Sequence, residues 1–429
     1  MTPFQAAAAA LAITALAGWI NARTLKLQQS VVMFSTGLIC AGLLAVGQRL
    51  VGPFQGYDSA RTLIGGLNFP EAVLGYMLAF LLFAGGMQVD LGEFRRRRMA
   101  IFSLATVGVF VSVALLTAGV WGAARLLHVD LPWPWALVFA ALISPTDPIA
   151  VLASVREGAL SKSMGAILQG EALFNDGVGL VVFTAALSLL GGSMPNPAHA
   201  ALQILLEAGG GLALGAGGGW LVISIMRMVD DYVVELTASF ALAMGVYALG
   251  EVLHVSGAIA AASAGLVVGS YGVETAMSDE TQRYIKDVWH VVDEVLNAVI
   301  FLLLGLQVFV TPFHLRETGL WAAAVALVLL ARFVVVLPWG AYFRLRHDER
   351  GSSVILAWGG LRGALSLALA FSLPKGEARD VVVAMTFAVV VASVMGQGLS
   401  FPALARRLHC EGSAEPEEPD APDESHEAA

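Results

Sequence analysis

Between residues 4 and 404, stretches of about twenty apolar residues recur, cut by charged or Gly/Pro-rich breaks. An α-helix rises about 1.5 Å per residue, so about twenty residues cross a hydrocarbon core about 30 Å thick. The segments 4–22, 29–48, 68–88, 99–124, 134–155, 163–190, 201–226, 233–250, 255–272, 289–311, 318–343, 351–373 and 379–404 fit that length. They predict an all-α polytopic membrane protein with about 13 transmembrane helices. Composition agrees. Charged residues make up 13% of the chain, against roughly 25% in soluble domains, and the mean hydropathy is +0.76. The stretch 4–22 lacks a basic n-region and a clear cleavage site, so it reads as the first span and not as a removed signal peptide.

Lys and Arg set the expected orientation. One set of alternate loops holds 16 of the 24 basic residues, including Arg95 to Arg98, and the other set holds 6. The positive-inside rule makes the first set cytoplasmic, with the N-terminus outside and the C-terminus inside. The formal net charge of −9 comes almost wholly from the tail 411–429, which has eight acids and no Lys or Arg. That tail reads as a disordered cytoplasmic end. Two cysteines, Cys40 and Cys410, suggest neither a disulfide nor a metal site, and eight scattered histidines form no HxxxH or HExxH pair. No cofactor and no nucleic-acid partner is expected.

The informative residues are those that lipid should exclude. Span 5 has "SPTDP" at its centre, where Pro145 and Pro148 remove backbone donors and break the helix beside Asp147. Span 12 has "WGGLRGALS", with Gly359, Gly360 and Gly363 around Arg362. Irregular backbone at membrane depth must be covered by protein or line a cavity. Spans 5 and 12 enter from opposite sides, seven spans apart. This predicts inverted six-helix repeats, spans 1–6 and 8–13, with span 7 and its glycine run "GGGLALGAGGGW" as linker. Opposed half-helices bring like dipole ends together, two positive and two negative. Asp147 and Arg362 supply one acid and one base to balance them. The plain alternative is a proline kink with a water-exposed Asp147.

Span 6 contains "GEALFND". Glu171 and Asn175, four residues apart, share a helix face, and Asp176 lies about 100° further round. Glu171 needs a cation, and Arg332, at the midpoint of span 11, is a base of comparable depth, which predicts a structural Glu171–Arg332 pair. Asp176 is then left to bind an ion. The opposite assignment pairs Asp176 and leaves Glu171 as the binder. Other acids read as ordinary: Asp230 and Asp231 in a turn, Glu71, Glu207 and Glu251 near outer ends. His290, Asp293 and Glu294 open span 10 at its cytoplasmic edge, where interface solvation accounts for them; a pH-sensing cluster is the sharper reading.

Taken together, "ALISPTDPIAVL", "LQGEALFNDGVGLVVF" and "WGGLRGALSLALAFSLP" resemble the NhaP-type sodium–proton exchangers, relatives of the animal sodium–proton exchangers. "LHVSGAIAAASAGLVVG" and "NAVIFLLLGLQV" also fit, and the resemblance covers about residues 70–405. It implies a homodimer in the plasma membrane, the inner membrane of a bacterium, with a scaffold and a mobile core. On that division, residues 1–90 (helices 1–3) and 233–311 (helices 8–10) form the scaffold. Residues 99–190 (helices 4–6) and 318–404 (helices 11–13) form the core, and 201–226 is the linker. Asp176 would bind ion or proton, Thr146 and Asp147 would assist at the unwound helix, and Glu171 would pair with a helix arginine. One departure stands out: the family usually has Ser after that Glu, and this chain has Ala172.

The function so predicted is exchange of a monovalent cation (Na⁺, or Li⁺ or K⁺) for a proton by competition for one carboxylate. Hard oxygen donors suit such cations, and Asp176, Thr146 and the carbonyls around 145–148 are the candidate metal-cation ligands. Asn175, an amide and not a second acid, predicts electroneutral one-for-one exchange and organises the unwound segments. A monovalent cation channel would use filter carbonyls or charge rings, and no such sequence occurs. An intramembrane aspartyl hydrolase would need a GxGD-like signature, also absent. An organic-anion transporter would need more basic groups.

Overall fold

The computed structural model describes residues 3–51, 68–148, 151, 154–155, 158–191, 197–228, 231–272, 277–347 and 351–409. Among these, regular structure is helical, with one isolated backbone bridge between Asp147 and Leu361. The tail, Cys410, Asp230 and residues 149–150 and 152–153 of the expected span 5 lie outside the described residues.

The chain opens with α1, Pro3–Arg23, and α2, Gln29–Val51. Helix α3 joins a π-helical stretch, Glu71–Met77, to Leu78–Met87. Helix α4 runs through Leu91–Ser103, a π turn at Leu104–Gly108, and Val109–Leu126. The short α5 is Trp133–Ile143, and the long α6 is Lys162–Leu190. Then come α7, Pro197–Met226, α8, Tyr232–Val252, and α9, Gly257–Val267, extended by the π turn Val268–Gly272. Helices α10, Asp279–Leu306, and α11, Thr318–His347, precede two short pieces, α12, Ser352–Trp358, and α13, Ala364–Ser372. The last helix, α14, comprises Glu377–Val391, the π segment Ala392–Gly398, and Leu399–His409. Among the described residues, 8 helices are long and apolar enough to cross a bilayer, and shorter apolar helices accompany them. Polar caps start several helices: Asp90 on α4, Ser161 on α6, Asp231 on α8, Ser256 on α9 and Ser278 on α10. Asp231 is thus a cap, which suits its place in a turn.

Lipid offers no hydrophobic drive between helices, so close packing depends on small side chains. Helix α2 meets α10 at Gly37, where a methyl group would lie 2.9 Å from the Gly305 Cα. Helix α3 meets α9 in the same way, where a methyl at Gly86 would lie 2.8 Å from the Leu266 amide nitrogen. The glycine run of α7 does the same work. A methyl at Gly211 would stand 2.5 Å from the Ser256 carbonyl at the start of α9. Large apolar side chains on the outer faces of α1, α2, α7 and α8, such as Leu16, Leu43, Leu221 and Met244, are exposed, as a lipid-facing surface requires.

One expectation is corrected here. Helix α10 starts at Asp279, ten residues before the predicted span. Its first turns are polar in composition, yet Ile285 and Trp289 are buried along one face. Asp293 therefore lies about 21 Å along the helix from its start. It is not an edge residue in free solvent: only 9% of it is exposed.

Candidate functional site

The two prolines end α5 at Ile143, the Ser144 amide closes its last turn on the Ala141 carbonyl at 3.2 Å, and the chain runs on without helical hydrogen bonds through 145–148. Gly359 and Gly360 end α12, and the helix resumes as α13 at Ala364. The two unwound stretches cross, and the Asp147 amide donates to the Leu361 carbonyl at 2.9 Å. Each short helix leaves its last carbonyls without helical partners, at the negative end of its dipole. Arg362 answers this for α5: its Nη1 donates to the carbonyls of Ser144 and, at 2.8 Å, of Pro145. Arg332, from α11, answers it for α12, donating from Nε at 3.1 Å and Nη2 at 2.9 Å to the Leu356 carbonyl. The Asp147 carboxylate stands against Gly363, in the space a side chain there would fill, beside the positive N-terminal end of α13.

Helix α6 forms the third wall. A methyl at Gly179 would lie 2.5 Å from the Pro145 ring, so the missing side chain lets α6 approach the break. Asn175 then ties the helix to it. Its Nδ2 donates to Thr146 Oγ1 at 2.8 Å, and its Oδ1 accepts from the Thr146 amide at 3.2 Å. One turn earlier, Glu171 takes both terminal nitrogens of Arg332, Nη2 to Oε2 at 2.8 Å and Nη1 to Oε1. Glu171 is 2% exposed and Arg332 4%, a two-pronged pair away from water.

Asp176 points elsewhere. It lines a cavity of ≈ 120 Å³ whose wall also holds Thr146, Asp147, Gln169, Asp293 and Asn297. Among the described residues, no hydrogen bond or ion pair reaches the Asp176 carboxylate. This half-buried acid beside an unwound backbone can hold a small hard cation or a proton.

The family model for the transmembrane sodium/hydrogen exchanger matches residues 11–407. The chain belongs to that family. It is 37% identical over 408 residues to the Na(+)/H(+) antiporter NhaP of Pseudomonas aeruginosa, covering 94% of this chain and 96% of that protein. It is 34% identical to the Na(+)/H(+) antiporter NhaH of Halobacillus aidingensis, over 79% of this chain and 84% of that one. Its fold matches the sodium proton antiporter MjNhaP1 of Methanocaldococcus jannaschii with a TM-score of 0.75 at 20% identity, over 96% of this chain and 100% of that one.

Within this exchanger, the seven residues singled out from sequence fall into one neighbourhood. Thr146, Asp147, Asn175 and Asp176 meet at the crossing and its cavity. Glu171, Arg332 and Arg362 form the charged frame behind them. One of these expectations changes and one is extended. The carbonyls of Ser144 and Pro145 face the Arg362 guanidinium, which disfavours a cation there and leaves later carbonyls as candidates. Arg332 also does more than pair with Glu171, since it closes the end of α12. Asp293, which the sequence places at the membrane edge, lines the cavity. Gln88 donates to it at 3.1 Å and Asn297 at 2.8 Å. Its signal in the sequence is the i, i+4 spacing with Asn297 on a helix whose apolar face begins earlier than hydropathy alone suggests. A second buried acid that the sequence reading passed over is Glu235, in the first turn of α8 at 1% exposure.

Proposed function

We propose that this chain is a secondary antiporter that exchanges a monovalent cation, Na⁺ foremost, for a proton, one for one. The observation that carries the proposal is Asp176: a carboxylate on the cavity wall, beside the unwound segment, while Glu171 is committed to Arg332. A cation at Asp176 has the Thr146 hydroxyl and freed backbone carbonyls within the same wall, and Asp147 adds a second negative charge nearby. Cation and proton compete for one carboxylate. An empty, ionised Asp176 is costly to move through a dry barrier, and either ligand removes that charge. Alternating access follows when the core, α4–α6 and α11–α14, shifts against the scaffold, α1–α3 and α8–α10.

Thirteen spans in inverted repeats are part of this reading. If span i corresponds to span i + 7, the α2–α10 contact maps onto α9–α3, and both are glycine-mediated close approaches. The breaks after α5 and between α12 and α13 map onto each other in the same way. We place the N-terminus outside and the C-terminus in the cytoplasm of a bacterial inner membrane, and a second copy of the chain as the partner in a homodimer.

The test is proton flux in proteoliposomes with Na⁺, Li⁺ and K⁺ added in turn. Flux driven by at least one cation, insensitive to membrane potential and abolished by Asp176→Asn in a folded, membrane-inserted protein, is expected. Flux near the wild-type rate in Asp176→Asn refutes the assignment of the carboxylate. Voltage-dependent exchange in the wild type refutes the single-carboxylate mechanism.

A further inference from the structure

In an unbroken α-helix the amide of residue 362 would donate to the carbonyl of residue 358. That bond is absent between α12 and α13, and its two ends are both satisfied by α14. The Arg362 amide donates to the Ser393 hydroxyl at 2.8 Å. Ser393 Oγ in turn donates to Gln397 Oε1 at 2.7 Å. Gln397 Nε2 then donates to the Trp358 carbonyl at 3.2 Å. Both side chains are buried, Ser393 at 3% exposure and Gln397 at 5%. Both project from the π segment Ala392–Gly398, a distortion frequent at functional sites. The Trp358 ring is held by the same helix, its Nε1 donating to Ser400 Oγ at 2.8 Å.

We infer that Ser393 and Gln397 form a side-chain relay, inserted in place of the missing 362-to-358 hydrogen bond, that keeps the segment between α12 and α13 unwound and so positions the ion site. The physical reasoning is a competition. A buried amide and a buried carbonyl, each short of a partner, would gain by meeting, and the segment would rewind. Rewinding turns the Leu361 carbonyl away from the Asp147 amide and draws the Arg362 guanidinium off the end of α5. The relay removes that drive by satisfying both ends at their open separation. Ser393 must accept and donate at once, which a hydroxyl does and an alkyl group does not. Gln397 must present an acceptor to Ser393 and a donor to Trp358, which its amide does. Neither residue touches the cavity, so both act through the crossing and are positioning residues.

The functional consequence rests on the antiport reading above, so the test has two arms. In the first, Ser393→Ala, Gln397→Leu, their double variant and Ser393→Thr are reconstituted and assayed for Na⁺-driven proton flux. Loss of an outer-shell partner at an ion site typically costs about 10- to 100-fold. Each single removal is expected to lower flux at least about tenfold. Links in series fail together, so the double variant should be no worse than the poorer single. Ser393→Thr keeps the hydroxyl and should retain most of the flux. Wild-type flux in either single, multiplied losses in the double, or a folded Ser393→Thr as poor as Ser393→Ala overturns the relay. The second arm is hydrogen–deuterium exchange of the peptide spanning 359–364 in the full-length protein. Faster uptake there in Ser393→Ala and Gln397→Leu, with α6 unchanged, is expected; unchanged uptake in both overturns the relay. If the wild type moves no protons with any cation, the antiport reading fails, and the exchange arm alone decides the relay.

Discussion

The Glu171–Arg332 pair allows a quantitative test of how charge is stored beside the site. Glu171→Gln leaves a guanidinium at 4% exposure without its counter-charge. Breaking one side of a buried pair costs about 3–5 kcal/mol. Arg332→Gln should cost more. It leaves the Glu171 carboxylate buried at a similar penalty, and it also removes the donors that close the Leu356 carbonyl at 2.9 and 3.1 Å. Hydrogen bonds to a charged group contribute about 1.5–3 kcal/mol, and since both donors share one acceptor the loss is counted once. The single losses are then about 3–5 and about 5–8 kcal/mol. The double variant buries no unpaired charge, because two neutral amides face each other. Only the Leu356 loss remains, about 1.5–3 kcal/mol. The double variant is therefore expected to be more stable than Arg332→Gln alone, with a coupling of about 6–10 kcal/mol, the pair's loss counted once in each single and not in the double. Denaturant unfolding in mixed micelles, followed by tryptophan fluorescence, measures all four proteins. Losses that add to within about 0.5 kcal/mol would show that the two groups do not stabilise each other, and the charge frame proposed for the core would fall.

Asn175→Asp removes the donor to Thr146 Oγ1 and puts a second carboxylate beside Asp176; two such acids do not ionise independently, so impaired but still voltage-insensitive exchange is expected, checked in liposomes at clamped potential. Asp293→Asn keeps an oxygen acceptor for one of Gln88 and Asn297, the other amide turning to present its own oxygen, and removes a negative charge from the cavity wall. The half-saturating Na⁺ concentration should rise several-fold, by about 5-fold for 1 kcal/mol, at a nearly unchanged maximal rate; an unchanged Na⁺ dependence would show that the acid plays no part in cation entry. Gly363→Ala drives a methyl group into the Asp147 carboxylate, so a folded variant should lose Na⁺-driven flux far more than a control substitution at Gly376, where a methyl meets nothing within 4 Å.

Hydropathy and helix breakers made much of this molecule legible. The apolar segments needed only length, and the crossing needed only two prolines and three glycines at places where lipid forbids irregular backbone. The Glu171–Arg332 contact was legible because just two bases, Arg332 and Arg362, fall inside predicted spans. What stayed hidden depends on three-dimensional proximity or on weak signals. Nothing in the residue types says that Arg332 also reaches the Leu356 carbonyl, because the end of α12 becomes a hydrogen-bond acceptor only once the helix is broken. Arg362 claims the Ser144 and Pro145 carbonyls for the same reason, so the chain stretch expected to ligate a cation is partly occupied by a guanidinium. Asp293 was misplaced because a hydropathy window averages the polar residues 279–288 and starts the helix late. Ser393 and Gln397 are small neutral polar residues in a strongly apolar segment, and such residues barely register against their surroundings.

The buried charges around the crossing also bear on why exchange should be coupled. Glu171 and Arg332 cancel each other. Arg362 and Asp147 sit on either side of one backbone crossing, the base on the negative end of α5 and the acid by the positive end of α13, so their charges offset each other and the helix dipoles together. Asp293 belongs to α10, on the proposed scaffold side, and its charge does not travel with the core. On the proposed mechanism, Asp176 is the odd charge left on the part that moves. With a Na⁺ or a proton bound, the buried charges of the proposed core would cancel and it would cross the barrier at low cost; with neither, it would carry one negative charge into a low-dielectric gap. A channel would have no use for this parity, since its ions move while the protein stands still. An exchanger depends on it, because the same carboxylate that attracts the cation also forbids the empty return.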